Sequence, residues 1–199
     1  MLRDLGLKPD YGDTPEYIIR NAANRGKLVE MYCLRLIQNP KEPLWIRTKH
    51  TGSQHLDVSV RVGAFYKWMK ATSAEYVDSH DFVWSAKDRV CWQRDLRVKI
   101  SGRLTLVDIK ATSKAEKDWP LQVGCGLSYD EDGCDRGGIL HLNPKLKDGY
   151  KFREYDAATV KSQYRRAVDR WHSNRDFQLL RNELGFDSEA FGFETEEGD

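Results

Sequence analysis

The sequence has no apolar run that approaches the roughly 20 residues needed to span a membrane as a helix. Its first residues, Met-Leu-Arg-Asp-Leu-Gly, also lack the hydrophobic segment of a secretory signal peptide. Hydrophobic residues make up 40% of the chain and charged residues 32%, which is ordinary for a globular domain. We therefore expect a protein that stays in the cytoplasm of the cell that makes it.

Cysteine is scarce: the chain has four, and no two of them form a Cys-x-x-Cys pair. This spacing argues against a zinc ribbon and against a redox dithiol. The five histidines show neither His-x-x-x-His nor His-Glu-x-x-His spacing, so we interpret them as structural or surface residues. Free and mostly buried thiols are expected at Cys33, Cys91, Cys125 and Cys134.

An excess of charge of one sign is also missing, since the net charge is only +1. The charges are unevenly distributed, however. Residues 187–199 carry six acids and no lysine or arginine, which leaves 32 basic and 25 acidic groups in residues 1–186. We predict a mildly basic domain over residues 1–186, suited to a nucleic-acid partner, and a disordered acidic tail over residues 187–199.

Hydrophobic spacing predicts an α/β domain with a helix-rich N-terminus, a central mixed sheet of about five strands and helices on its faces. An interruption of the first helix is expected near residues 24–26. The predicted helices cover residues 14–39, 63–71, 119–129 and 157–171, and the predicted strands outside the central hairpin cover residues 56–62, 75–84, 139–143 and 150–155.

The central hairpin lies within residues 89–112. Apolar residues alternate up to Ile100, Ser101-Gly102 gives a turn signal, and the alternation resumes at Leu104. The first strand of this hairpin carries Asp95. The second strand carries further charges near its end.

Two of those charges, Asp108 and Lys110, are two residues apart and therefore project from the same face of the strand. Ile109 points the other way and offers only its backbone carbonyl. If the hairpin turns at Ser101, Asp95 can lie close to Asp108, and the oxygens together suit magnesium or manganese. Lys110 could then position a water molecule or neutralise charge on a phosphate. The alternative is an ordinary surface salt bridge between Asp108 and Lys110.

This hairpin resembles the core motif of the PD-(D/E)XK nuclease superfamily, in particular its RecB-like and phage exonuclease-like branches. Asp95 is followed by a turn and then by Leu-Val-Asp-Ile-Lys-Ala-Thr, which contains Asp108 and Lys110. Upstream, Gly-Lys-Leu-Val-Glu ends at Glu30 and is similar to the first-helix segment of the family. Downstream, Trp-Pro-Leu-Gln ends at Gln122 and is similar to the start of the helix that carries a glutamine.

The resemblance covers roughly residues 14–155 and implies a restriction-endonuclease-like core. It also implies a Mg²⁺-dependent (or Mn²⁺-dependent) deoxyribonuclease, most simply an exonuclease in DNA recombination, repair or phage replication. Without the hairpin acids, Glu30 would be interpreted as a solvated helix residue. The implied metal ligands are Glu30, Asp95, Asp108 and the carbonyl of Ile109, and the implied catalytic residues are Asp95, Asp108, Lys110 and Gln122.

DNA is the implied partner, and a homo-oligomer or a recombination partner protein fits the same resemblance. Contacts to phosphates are expected from Lys114 and Lys117 in a polar loop and from Arg165 and Arg166 on a basic helix face. The alternative function is a catalytically silent nuclease-like module that binds DNA or a protein. A structural hairpin protein without a nucleic-acid role is a further alternative.

Overall fold

The structure is a computed structural model that describes residues 14–40, 53–79, 82–88, 90–113, 118–130 and 133–184. Four helices and seven strands occupy these residues. Among them, no helix is both long and apolar enough to cross a membrane. In chain order the elements are α1 (Glu16–Gln38), α2 (Ser53–Thr72), β1 (Glu75–Asp78), β2 (Phe82–Ser85), β3 (Val90–Gln93), β4 (Leu96–Ile100), β5 (Arg103–Lys110), α3 (Trp119–Ser128), β6 (Arg136–Leu142), β7 (Tyr150–Asp156) and α4 (Ala157–Leu184).

Five of the strands form one mixed sheet in the order β1-β4-β5-β6-β7. The β5–β6 pair is parallel, and α3 makes the crossover between these two strands, whereas the other three pairs are antiparallel. Strands β2 and β3 pair with each other in a separate two-stranded sheet. The predicted α/β class, with a mixed sheet of about five strands flanked by helices, is confirmed.

The β4–β5 hairpin turns at Ser101 and Gly102, as the sequence predicts. Both residues have positive φ, 51° for Ser101 and 75° for Gly102, which is the signature of a type I′ turn. This turn matches the twist of the strands and fixes their register, in which Leu96 lies opposite Val107. The turn therefore decides which side chains of β4 and β5 project from each face of the sheet.

Strand β5 is buried on both faces because helices cover both sides of the sheet there. Val107 and Ile109 join the core that includes residues of α1 and α2. Leu106 joins a different core, which includes Val123 of α3 and Val160 of α4. Since Asp108 and Lys110 share the parity of Leu106, they project towards the α3 side of the sheet.

The predicted strand over residues 56–62 is wrong, because these residues form the first half of α2. Leu56, Val58, Val60 and Val62 alternate in sequence, but their burial follows a helix. Val58 and Val62, four residues apart, are buried together with Phe65, whereas Leu56 and Val60 are exposed. Helical packing against the core outweighs the strand propensity of these valines.

Several boundaries also differ from the predictions. Helix α1 continues through residues 24–26 without a break, because glycine at position 26 costs only about 1 kcal/mol in a long amphipathic helix. The predicted strand over residues 75–84 is two strands, β1 and β2, which belong to different sheets. Strand β6 begins at Arg136, three residues before the predicted start at residue 139, and α4 extends beyond residue 171 to Leu184. The predicted acidic tail, residues 187–199, lies outside the described residues.

Candidate active site

Asp108 and Lys110 form an ion pair inside the protein, at the C-terminal end of β5. The Asp108 Oδ2 atom lies 2.7 Å from Lys110 Nζ. Asp108 is only 4% exposed, and 19% of the Lys110 side chain is exposed. An ordinary surface salt bridge does not describe this pair, since its carboxylate is almost fully withdrawn from water.

Asp95 lies beside Asp108, although it immediately precedes β4 and is not on the strand itself. Leu96 pairs with Val107, so continuing the antiparallel register by one residue places Asp95 next to Asp108. The Oδ2 atom of Asp95 accepts a hydrogen bond of 2.8 Å from the backbone N–H of Ile109. Since the N–H and C=O of one strand residue point the same way, the Ile109 carbonyl lies on the edge where Asp95 lies.

The acids at this strand end repel one another. Burial, then the charge of Asp108 and then that of Glu30 raise the pKa of the Asp95 carboxyl well above its usual range. Lys110 and the N–H of Ile109 act in the opposite direction. Burial acts to lower the pKa of the Lys110 amine, but the carboxylates around it, Asp108 first, outweigh burial and raise it. The site therefore concentrates negative charge around one ammonium group.

The oxygens at this site fit a hard divalent cation in part. The buried Asp108 Oδ2 is engaged by Lys110 and by no other donor among the described residues, so a lone pair stays available. The carboxylate of Asp95 and the backbone carbonyl of Ile109 lie on the strand edge beside it. All of these possible metal ligands are oxygens, which Mg²⁺ prefers. Within the described ranges, no three His, Cys, Asp or Glu side chains are grouped closely enough to hold a metal ion. Glu30 acts on Asp95 through its charge, which raises the pKa of the Asp95 carboxyl.

Gln122 on α3 reaches the same site. Lys110 Nζ donates a hydrogen bond of 2.6 Å to Gln122 Oε1. The amide nitrogen of Gln122 in turn donates a bond of 2.7 Å to the Oδ2 atom of Asp118. The structure thus joins Gln122 to Lys110, as the sequence resemblance implies, and adds Asp118, which the sequence analysis missed. The available signal was the spacing of four residues between Asp118 and Gln122, which places both on one face of the helix start.

His141 borders the site and was also missed as a neighbour of Lys110. It pairs with Lys110 across the parallel β5–β6 ladder and is 7% exposed. Its Nε2 atom lies 2.9 Å from the carbonyl oxygen of Thr112, and its ring meets the edge of Trp119 at 5.0 Å. These contacts hold the chain where it leaves β5. The interpretation of His141 as a structural residue agrees with them.

Of the four residues predicted to contact phosphates, two lie on α4 and two lie outside the described residues. Arg165 on α4 pairs with Asp88 at 2.6 Å and lies over the ring of Tyr129, and 46% of its side chain is exposed. Arg166 is exposed on the same helix. Arg165 therefore ties α4 to the β2–β3 hairpin while it keeps part of its surface in solvent. Lys114 and Lys117 lie outside the described residues.

The fold and this strand end define an α/β protein with a buried centre of acids and one lysine. No protein-family model matches the sequence, and no curated protein matches it either. Solved structures with a similar course of the chain include LHK-Exo in complex with dAMP and the alkaline exonuclease LHK-Exo from Laribacter hongkongensis. Each is 12% identical over 82% of this chain and 86% of that chain, with a TM-score of 0.42.

The crystal structure of SSO0001 is also similar, at 14% identity over 80% of this chain and 86% of that chain, with a TM-score of 0.33.

The raised pKa of Asp95 predicts a pH-dependent effect of Asp95→Asn. In the folded protein the carboxyl keeps a proton that the unfolded chain releases above about pH 4, so its contribution to stability falls as pH rises. Asparagine does not ionise but can still accept the Ile109 bond. In chelator, Asp95→Asn should exceed wild type in Tm by a margin that grows as the pH rises above about 4. A margin that shrinks with rising pH, in parallel melts of both proteins, would contradict this account.

Proposed function

We propose that this protein is a metal-dependent nuclease that hydrolyses phosphodiester bonds of DNA. The observation that carries the proposal is the placement of Asp95 and Asp108 side by side at one strand end, with Lys110 in contact with Asp108. Two buried carboxylates that repel each other have a folding cost, which a divalent cation would relieve. A purely structural strand end would not need this arrangement.

Asp95, Asp108 and the carbonyl of Ile109 would hold Mg²⁺ or Mn²⁺ in this proposal, with Glu30 adding negative charge nearby. The bound cation would supply Lewis acidity towards the phosphate. Lys110 would orient the attacking water molecule, since its ammonium group has three protons and, among the described residues, Asp108 and Gln122 engage two of them. Gln122 would hold that ammonium group in place.

The finer proposal is an exonuclease of DNA recombination, repair or phage replication, as the sequence resemblance implies. DNA would approach over a mildly basic surface. Arg165 and Arg166 on α4, together with Lys114 and Lys117, would contact its phosphates without reading sequence. A homo-oligomer or a partner protein remains part of this proposal.

Cleavage should depend on the cation. Mg²⁺ or Mn²⁺ should support hydrolysis of end-labelled DNA, whereas Ca²⁺ should support binding only, because the larger ion relaxes the ligand geometry. Parallel digestions of linear and circular DNA separate an exonuclease from an endonuclease. Asp108→Asn, purified in the same way, controls for contaminating nucleases.

Undiminished cleavage in excess chelator would contradict the proposed metal dependence. Binding of DNA without cleavage under every cation would instead favour the catalytically silent module.

A further inference from the structure

Asp118 lies at the start of α3, where an acidic residue ordinarily caps the helix. Its backbone carbonyl accepts hydrogen bonds from Leu121 and Gln122, as expected at a helix start. Its carboxylate makes no capping hydrogen bond. It is instead turned to the side chain of Gln122, at 2.7 Å, and the residue is only 1% exposed. The carboxylate thus binds a side chain in the candidate site.

A primary amide has one accepting end and one donating end, so its orientation decides what it offers to a neighbour. Gln122 presents its oxygen to Lys110, and its nitrogen donates to Asp118. If the amide rotated by half a turn, its NH₂ group would face the ammonium group of Lys110, and two donors would oppose each other. The carboxylate of Asp118 accepts only, so it favours the observed orientation.

Only one oxygen of the buried Asp118 carboxylate takes part in the contact with Gln122. Its second oxygen, Oδ1, is buried and has no hydrogen-bond partner among the residues that the structure describes. Leaving a buried carboxylate oxygen without a partner costs free energy, and no cap compensates for that cost here. A residue that served the helix alone would be more stable with its carboxylate on the backbone N–H groups.

We propose that Asp118 is a positioning residue that fixes the Gln122 amide and thereby holds Lys110 in its working orientation. Its catalytic consequence rests on the proposed nuclease function, but its structural part does not. Removing the carboxylate should let the Gln122 amide rotate and release one of the two groups that hold the ammonium of Lys110.

Asp156 offers a matched control, because it is also an aspartate immediately before a helix. Its Oδ2 atom accepts hydrogen bonds of 2.8 Å from both the backbone N–H and the hydroxyl of Thr159, so it is a true cap of α4. Asp156→Ala should lower Tm and leave kcat unchanged. Asp118→Ala should instead leave Tm close to the wild-type value and reduce kcat about ten- to hundredfold, with KM within about twofold of wild type.

Three further variants sharpen the test. Asp118→Asn keeps an acceptor for the Gln122 nitrogen and should retain most of the activity, within about threefold of wild type. Gln122→Ala should lose as much activity as Asp118→Ala. The double variant should lose no more activity than Gln122→Ala, because Asp118 acts on Lys110 only through the hydrogen bond between Gln122 and Lys110. Asp118→Ser is the substitute if Asp118→Ala does not fold.

The side-chain amide signals of Gln122 in NMR spectra give a readout that does not depend on cleavage. Gln122→Ala identifies these signals by their loss. In Asp118→Ala they should move upfield and exchange faster with water, and Asp156→Ala should leave them in place.

The inference is overturned if Asp118→Ala leaves both kcat and the Gln122 signals as in wild type, or if it lowers Tm alone as Asp156→Ala does. If the wild-type protein cleaves no DNA, the proposed function fails, and the amide signals still decide whether Asp118 fixes Gln122.

Discussion

Asp108→Asn should reduce cleavage by about a thousandfold or more and leave the protein folded. Asparagine keeps the shape of the side chain but removes the charge that would hold the cation beside Asp95. Two opposed effects on stability accompany the change. Repulsion of Asp95 is relieved, while the ion pair with Lys110 is lost, so Tm in chelator should shift by less than about 4 °C.

Lys110→Ala separates cation binding from the chemical step. Both acids remain, so titration with Mn²⁺ should still show binding, whereas the rate of cleavage should fall about a hundredfold. Asp108→Asn should lose binding and cleavage together. Cation titration, thermal melting and single-turnover cleavage on both variants make the comparison. Wild-type cleavage by either variant would rule out this strand end as the active site.

Gly124→Ala should be the most damaging small substitution in α3. A Cβ atom there would lie 2.3 Å from the carbonyl oxygen of Val160 and 2.9 Å from Cβ of Tyr164, both on α4. Relieving this overlap requires the two helices to separate. Because the overlap is with backbone, which cannot rotate away, overpacking should cost about 3 kcal/mol, the upper end of its usual range. Alanine favours a helix by up to about 1 kcal/mol, so the net change should be a loss of about 2 kcal/mol.

Gly63→Ala is the control, since Gly63 is an exposed glycine inside α2, and a methyl group there would meet no atom within 4 Å beyond its own helix backbone. Here only the helix preference acts, and the protein should gain about 0.5–1 kcal/mol in the free energy of unfolding. Denaturation by urea measures both variants. A gain at Gly124 equal to the gain at Gly63 would show that the contact of α3 with α4 is looser than these distances indicate.

The hairpin and its charges were predictable because their signals are local. Apolar alternation, the Ser101-Gly102 turn and the spacing of Asp108 and Lys110 all lie within one short stretch of chain. The roles assigned to these residues stay predictions until the variants are measured. What the structure adds is their common position and burial.

The helix over residues 56–62, the role of Gly124 and the position of Asp118 depend on contacts between elements that are distant in sequence. No local pattern contains such contacts. The alternation of Leu56 to Val62 predicted a strand, and only packing against α1 and the sheet makes it a helix. Gly124 has a low intrinsic helix propensity, yet it allows α4 to approach α3 closely. The hydrogen bond between Asp118 and Gln122 depends on the side-chain orientation of Asp118, which is set by its buried surroundings in the folded protein.

The two-residue turn at Ser101 and Gly102 limits how this gene product can change in length. Insertion or deletion of one residue there would slip β4 against β5, and a slip of one residue exchanges the two faces of a strand. Asp108 would then lose its place beside Asp95. The seven-residue connection between β6 and β7, residues 143–149, bears none of the proposed catalytic groups, and altered length there changes the entropy of loop closure only slightly. Homologous chains that share the proposed activity should therefore vary in length at residues 143–149 and keep the β4–β5 turn at two residues.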